Sequence, residues 1–130
     1  MSGFEATALY IGVNAVILAW LSVLVVRQRF ANRVVHGDGG SKELQRVIRA
    51  HGNAAEYMAI ALLVIAATEA SGAPLWMTHA LGIMFTLGRL AHAATFVFHA
   101  HYRFRQTGMA LTFLVLVIGG GVSLVKYALF

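Results

Sequence analysis

The chain has 130 residues, 59% of them hydrophobic and 12% charged, with one proline and a mean hydropathy of +0.74. That balance excludes an ordinary soluble domain: so short a chain buries one modest core and cannot hide four apolar runs of about twenty residues, for which a bilayer is the natural solvent. The net charge of +5 does not point to nucleic acid, because the basic residues stand at the ends of apolar runs, and the absence of cysteine removes disulfide frameworks, thiolate metal sites and a protein-borne thiol nucleophile.

Helix one is expected over about residues 5–29. Its apolar stretch, residues 6–26, spans the ~30 Å hydrocarbon layer at ~1.5 Å per residue, and Arg27, Arg29 and Arg33 follow it. No basic stretch precedes it and no small-residue cleavage site follows, so it reads as a retained span and not a removed signal. Gly37, Asp38, Gly39 and Gly40 then mark a turn; lacking the Gly-Lys-Ser/Thr order and a preceding strand, they are not a phosphate cradle.

Ser41 followed by Glu43 reads as the start of helix two, residues 42–70, which the SGAP break at 71–74 ends. Helix three is expected over residues 74–104 and helix four over 108–129, with Gly108 between them. Residues 1–130 thus form a single all-α integral membrane domain, a four-helix up-down bundle. Arg27, Arg29, Arg33, Lys42, Arg46 and Arg49 flank the first loop, and Arg103 and Arg105 the third, whereas the second has Glu69 and no base. By the positive-inside rule the first and third loops are cytoplasmic and both termini lie on the other side. Small residues at four-residue spacing, Ala8 with Gly12, Ala15 with Ala19 and Gly119 with Ser123, allow close helix approach within or between subunits.

Two polar faces interrupt the apolar helices. At ~100° per residue, Arg46, Arg49, Asn53, Glu56 and Tyr57 share an arc of ~100° on helix two, while His51 points elsewhere. Arg49 and Glu56 stand two turns apart, ~10 Å, too far for a direct pair, so each needs a partner on another helix, another subunit or a ligand. On helix three, Arg89, His92, Phe96, His99 and Arg103 fall within ~80°, with His101 and Arg105 off that face. The balance of the two faces is cationic with one carboxylate. It suits a small ligand carrying more than one carboxylate and an amine. His79 reads as an interfacial residue; haem on His92 and His99 lacks matching histidines on an opposing helix, and no zinc-type ligand register is present.

RVIRAHGNAAEY followed by an apolar run and SGA, then GRLAHAATF in helix three, resembles the MAPEG family, the membrane-associated proteins in eicosanoid and glutathione metabolism. The likeness is greatest to the small bacterial inner-membrane members, whose first loop carries a YGDGG-like turn, and it covers nearly the whole chain. The resemblance implies a homotrimer of four-helix subunits, with glutathione as co-substrate between neighbouring subunits near the cytoplasmic side. Arg49, Asn53, Glu56 and Tyr57 match the family's glutathione-binding positions on helix two. Arg89 matches the arginine opening the helix-three motif, and His51 stands where relatives have Gln or His. The family often has tyrosines at the positions of His92 and Phe96, histidine being known at the first; phenylalanine cannot donate a hydrogen bond. The thiol-activating arginine of catalytic members lies late on this helix, and the shared face selects Arg103 over Arg105.

The resemblance therefore implies a glutathione transferase or peroxidase acting on lipophilic electrophiles or lipid hydroperoxides in a bacterial inner membrane. Two alternatives stand beside it: a non-catalytic module that holds glutathione or a lipid, and a small proton-coupled transporter using Glu56.

Overall fold

The computed structural model describes residues 4–129, and over these the chain forms four helices: α1 Glu5–Asn32, α2 Lys42–Ala70, α3 Leu75–Val97 and α4 Tyr102–Leu129. Each is long and apolar enough to cross a membrane. Local chemistry sets most of their ends. Ser41 caps α2 by accepting the Leu44 N–H at 3.2 Å, and Asp38 Oδ1 accepts the Gly40 N–H at 2.9 Å to hold the turn before it. At the other end of α2 the chain passes through Gly72, at φ 76°, and Pro74 opens α3.

The junction of α3 and α4 differs from the sequence expectation. Helix three does not run to residue 104; it stops at Val97, and the residues from Tyr102 onward belong to α4. No glycine or proline breaks the helix here. Instead His99 takes a left-handed conformation, φ 56°, and the Ala100 N–H turns back to Ala94 O at 3.3 Å. Partners from other helices hold the reversal: Phe98 stacks on Trp20 of α1 at 6.0 Å between centroids, and His99 Nε2 lies 3.5 Å from a Glu43 carboxylate oxygen of α2. Histidine tolerates this backbone region better than most residues, so the contacts outweigh the local helical preference.

The helices pack with α2 and α3 against each other, α1 resting on both and α4 resting on both from the other side, so that α1 and α4 do not touch. The apolar core is small: Leu21, Ala54, Met58, Ala61, Ile65, Leu81, Phe85 and Val115. Polar side chains share it, among them Thr7, Asn14, Thr68, Thr78, Arg89, His92 and Thr112. Large apolar side chains such as Val16, Leu63, Leu87 and Val117 face outward. That distribution suits lipid, where apolar surface gains nothing from burial and internal polar groups must satisfy one another.

Close approach falls only partly where the small-residue pairs put it. A Cβ on Gly108 would lie 2.5 Å from Gly88 O and 2.8 Å from the His92 amide, so these two glycines set the α3–α4 contact, and Gly108 lies inside α4. Gly119 does pack, with a Cβ there reaching within 3.3 Å of Thr68 Oγ1. Ala8, Gly12, Ala15 and Ala19 stand on the exposed side of α1. Glu69, the acid of the second loop, caps α1 from a distance: its carboxylate accepts the N–H groups of Ala6 and Thr7 at 3.0 and 2.8 Å and the Thr7 hydroxyl. Beside it the Tyr10 hydroxyl meets His79 Nδ1 at 2.9 Å.

Candidate functional site

Arg89 is the fixed point of the polar region. It is 2% exposed, and Gly88 beside it lets α4 come close enough to cover its guanidinium. Nη1 donates to Asn53 Oδ1 of α2 at 2.6 Å, and Nη2 donates to Thr112 Oγ1 of α4 at 2.6 Å, with Gly108 O at 3.4 Å. Its carbon end lies 5.6 Å from the Tyr57 ring centroid and 5.7 Å from that of Phe85. One side chain therefore joins three helices and fixes the rotamer of Asn53. Nε has no hydrogen-bond partner among the described residues.

The remaining polar residues form a rim around that anchor. His92, one turn further along α3, is 5% exposed and its ring lies 5.2 Å from that of Phe96. Phe96 also faces α2, where it lines a groove of about 260 Å³ with Gln45, Arg46 and Arg49. Arg46, His51, Asn53 and Tyr57 are half-buried, and Tyr57 makes an edge contact with Phe113 at 6.0 Å.

Arg49 and Glu56 turn away from the bundle and are exposed. Among the described residues neither has a hydrogen bond or ion pair within the subunit. Glu56 stands about half-way along α2, so on a lone subunit its carboxylate would face hydrocarbon, at about 2.5–3.5 kcal/mol on insertion scales. An exposed cation and an exposed anion two turns apart on the same outward surface can grip a zwitterionic ligand or a second subunit.

The helix-three face read from the sequence survives only in part. Arg89, His92 and Phe96 remain together, but His99 lies in the α3–α4 turn, and Arg103 belongs to the first turn of α4. The periodicity that favoured Arg103 over Arg105 therefore no longer applies. Both are exposed. Thr112 and Gly108 complete the enclosure of Arg89; the sequence singles out Gly108 only as the break before helix four and does not single out Thr112. Their four-residue spacing on one face of α4 was the available signal. Among the described residues no group of His, Asp or Glu is arranged to hold a metal ion.

Comparison with known proteins agrees with this architecture. The MAPEG family profile matches residues 7–125. Inner membrane protein YecN from each of two Escherichia coli strains is 44% identical over 112 residues, covering 86% of this chain and 85% of YecN. No solved structure matches the chain.

Proposed function

The chain belongs to the MAPEG family, and from that premise we propose that it is a membrane-embedded glutathione-binding protein, a transferase or peroxidase of lipophilic electrophiles or lipid hydroperoxides. It is a multi-pass inner-membrane protein on this reading, with the arginine-rich first loop in the cytoplasm, both termini on the other side and three copies per assembly. One observation carries the proposal. Arg49 and Glu56 are exposed on a membrane-spanning helix with no hydrogen-bond or ion-pair partner among the described residues, and glutathione between neighbouring subunits would supply both a carboxylate and an amine.

On this proposal the residues take the following roles. Arg49 pairs with a glutathione carboxylate and Glu56 with the γ-glutamyl amine, while Asn53 and Tyr57 offer polar contacts between them. Arg89, bonded to Asn53 and Thr112, acts by holding Asn53 and by adding positive potential, and His51 and His92 join the proposed set by their positions in the family motif. Arg103, two residues before Arg105 in the first turn of α4, stabilises the thiolate as a cation stabilises that of a cysteine. With a carbon electrophile the sulfur forms the C–S bond as the leaving group departs with its electron pair. With a hydroperoxide the sulfur attacks the terminal oxygen, the O–O bond breaks, and the alkoxide takes a proton; a second glutathione reduces the sulfenic acid to the disulfide and releases water.

Titrating the purified protein with glutathione while following thiolate ultraviolet absorbance tests the proposal. A saturable signal is expected in the wild type, reduced together with turnover in Arg103→Ala. No saturable signal in the wild type would refute it, and loss in Arg105→Ala alone would move the thiolate role to that residue. A second reading, binding without catalysis, draws on Phe96: it lines the groove where a hydroxyl donor would serve the ligand. Saturable binding with no turnover across a broad electrophile panel would favour it.

A further inference from the structure

The far end of α1 carries a feature that the glutathione site does not use. A 28-residue helix at ~1.5 Å per residue outruns the ~30 Å hydrocarbon layer, so its last turns reach the headgroup zone. There the chain hooks back on itself. Arg33 adopts a left-handed conformation, φ 53°, the Val34 N–H donates to Arg29 O at 3.0 Å, and the Arg29 guanidinium donates to the carbonyls of Val35 and Gly37 at 3.1 and 3.0 Å. Gly39 keeps the hook tight, since a Cβ there would collide with the Val34 side chain.

The hook lays Val34 and Val35 beside Val26 and Phe30, leaving a groove of about 480 Å³ bordered by Arg29 and Arg33. Phe30 is 81% and Val35 77% exposed, so the walls are uncovered apolar surface, yet the rim is cationic. The nearest acid in the chain, Asp38, already accepts the Gly40 N–H.

We propose that this groove binds one anionic phospholipid, with its acyl chain along Val26, Phe30 and Val35 and its phosphate at Arg33 beside Arg29. The charge pattern selects the headgroup: a zwitterionic lipid brings its own cation toward Arg27, Arg29 and Arg33, whereas an anionic one leaves its phosphate unopposed. The apolar walls select a lipid over a free anion, which would leave Phe30 and Val35 uncovered. Arg33 can grip phosphate with two parallel N–H groups, as a planar guanidinium does.

The test uses native mass spectrometry of the full-length protein released from micelles containing equal phosphatidylglycerol and phosphatidylcholine. The wild type should retain phosphatidylglycerol selectively. Arg33→Gly removes the charge at a position whose φ of 53° suits glycine, so the fold holds while the selectivity falls about five-fold, the ratio that one basic residue contributes near an anionic surface. Arg33→Lys should restore part of it, and Phe30→Ser should lower retention of both lipids. Unchanged selectivity in Arg33→Gly would overturn the proposal. So would displacement of the retained species by millimolar inorganic phosphate, which would make the groove a free-anion site. A change of oligomeric state in these variants without a change in lipid retention would also overturn it, the groove then being covered by a second copy.

Discussion

Arg89 combines a permanent charge with almost complete enclosure, and its stability rests on the geometry of its partners. A buried guanidinium is tolerated when its donors are met, and here Asn53 and Thr112 each take one at 2.6 Å. Removing the side chain would leave the enclosed Thr112 hydroxyl and the half-buried Asn53 carbonyl oxygen without that donor, at about 1–3 kcal/mol for an enclosed group and less for the other. Arg89→Met is therefore expected to lower the unfolding free energy in detergent by about 3 kcal/mol, with Arg89→Lys, which reaches only one acceptor, losing roughly half as much. A denaturant titration of the three proteins measures this. Arg49 makes the opposite case, being exposed and without a hydrogen-bond or ion-pair partner among the described residues. Arg49→Gln should leave that titration unchanged while weakening glutathione binding at least ten-fold by calorimetry, the loss expected when a charged hydrogen bond to a carboxylate is removed.

The contact between α3 and α4 depends on two glycines, and the chain provides its own control for that claim. Gly108 meets Gly88 and the His92 backbone, whereas a Cβ on Gly121 of the same helix would meet nothing within 4 Å. Gly121→Ala should be neutral or stabilising by up to ~1 kcal/mol through helix propensity. Gly108→Ala must push α4 away from α3, at about 1–3 kcal/mol, and should disturb the Arg89 enclosure with it. Thermal unfolding of the two variants compares them directly. The same pair of helices marks the limit of periodicity as a guide. The starts of α2 and α3 and the break before Pro74 were legible because capping and turn residues act locally. The end of α3 was not, because Trp20 and Glu43, distant in sequence, hold Phe98 and His99 out of the helix. Arg103 was consequently assigned to a helix face it does not share. The helix-two face was legible as a face, since polar residues in an apolar helix must have partners, but its division into an enclosed edge and an outward edge depends on where α3 and α4 pack.

At the scale of the molecule, Arg49 and Glu56 on α2 and the stripe of Ala8, Gly12, Ala15 and Ala19 on α1 are exposed, and the proposed function gives the first pair a partner between subunits. Small residues permit close approach between helices, and each charge left facing hydrocarbon costs about 2.5–3.5 kcal/mol. Under the proposed function, assembly that covers the outward edge of α2 would remove the exposure of Arg49 and Glu56 in every copy at once, and a ligand that carries the opposite charges would remove what remains. On the proposed reading the ligand binds the assembled protein and not the separated subunit, so mass action links the two equilibria: at about one hundred times its Kd, glutathione should stabilise the assembly by ~2.7 kcal/mol for each occupied site. In a dilution series with fluorescently labelled subunits in detergent, glutathione is thus expected to lower the concentration at which the assembly dissociates. Glu56→Gln, unable to pair with the amine, should dissociate near the unliganded wild-type concentration with or without glutathione. A dissociation curve that glutathione leaves in place, while binding itself is saturable, would put the ligand wholly within one subunit and separate the assembly from the site.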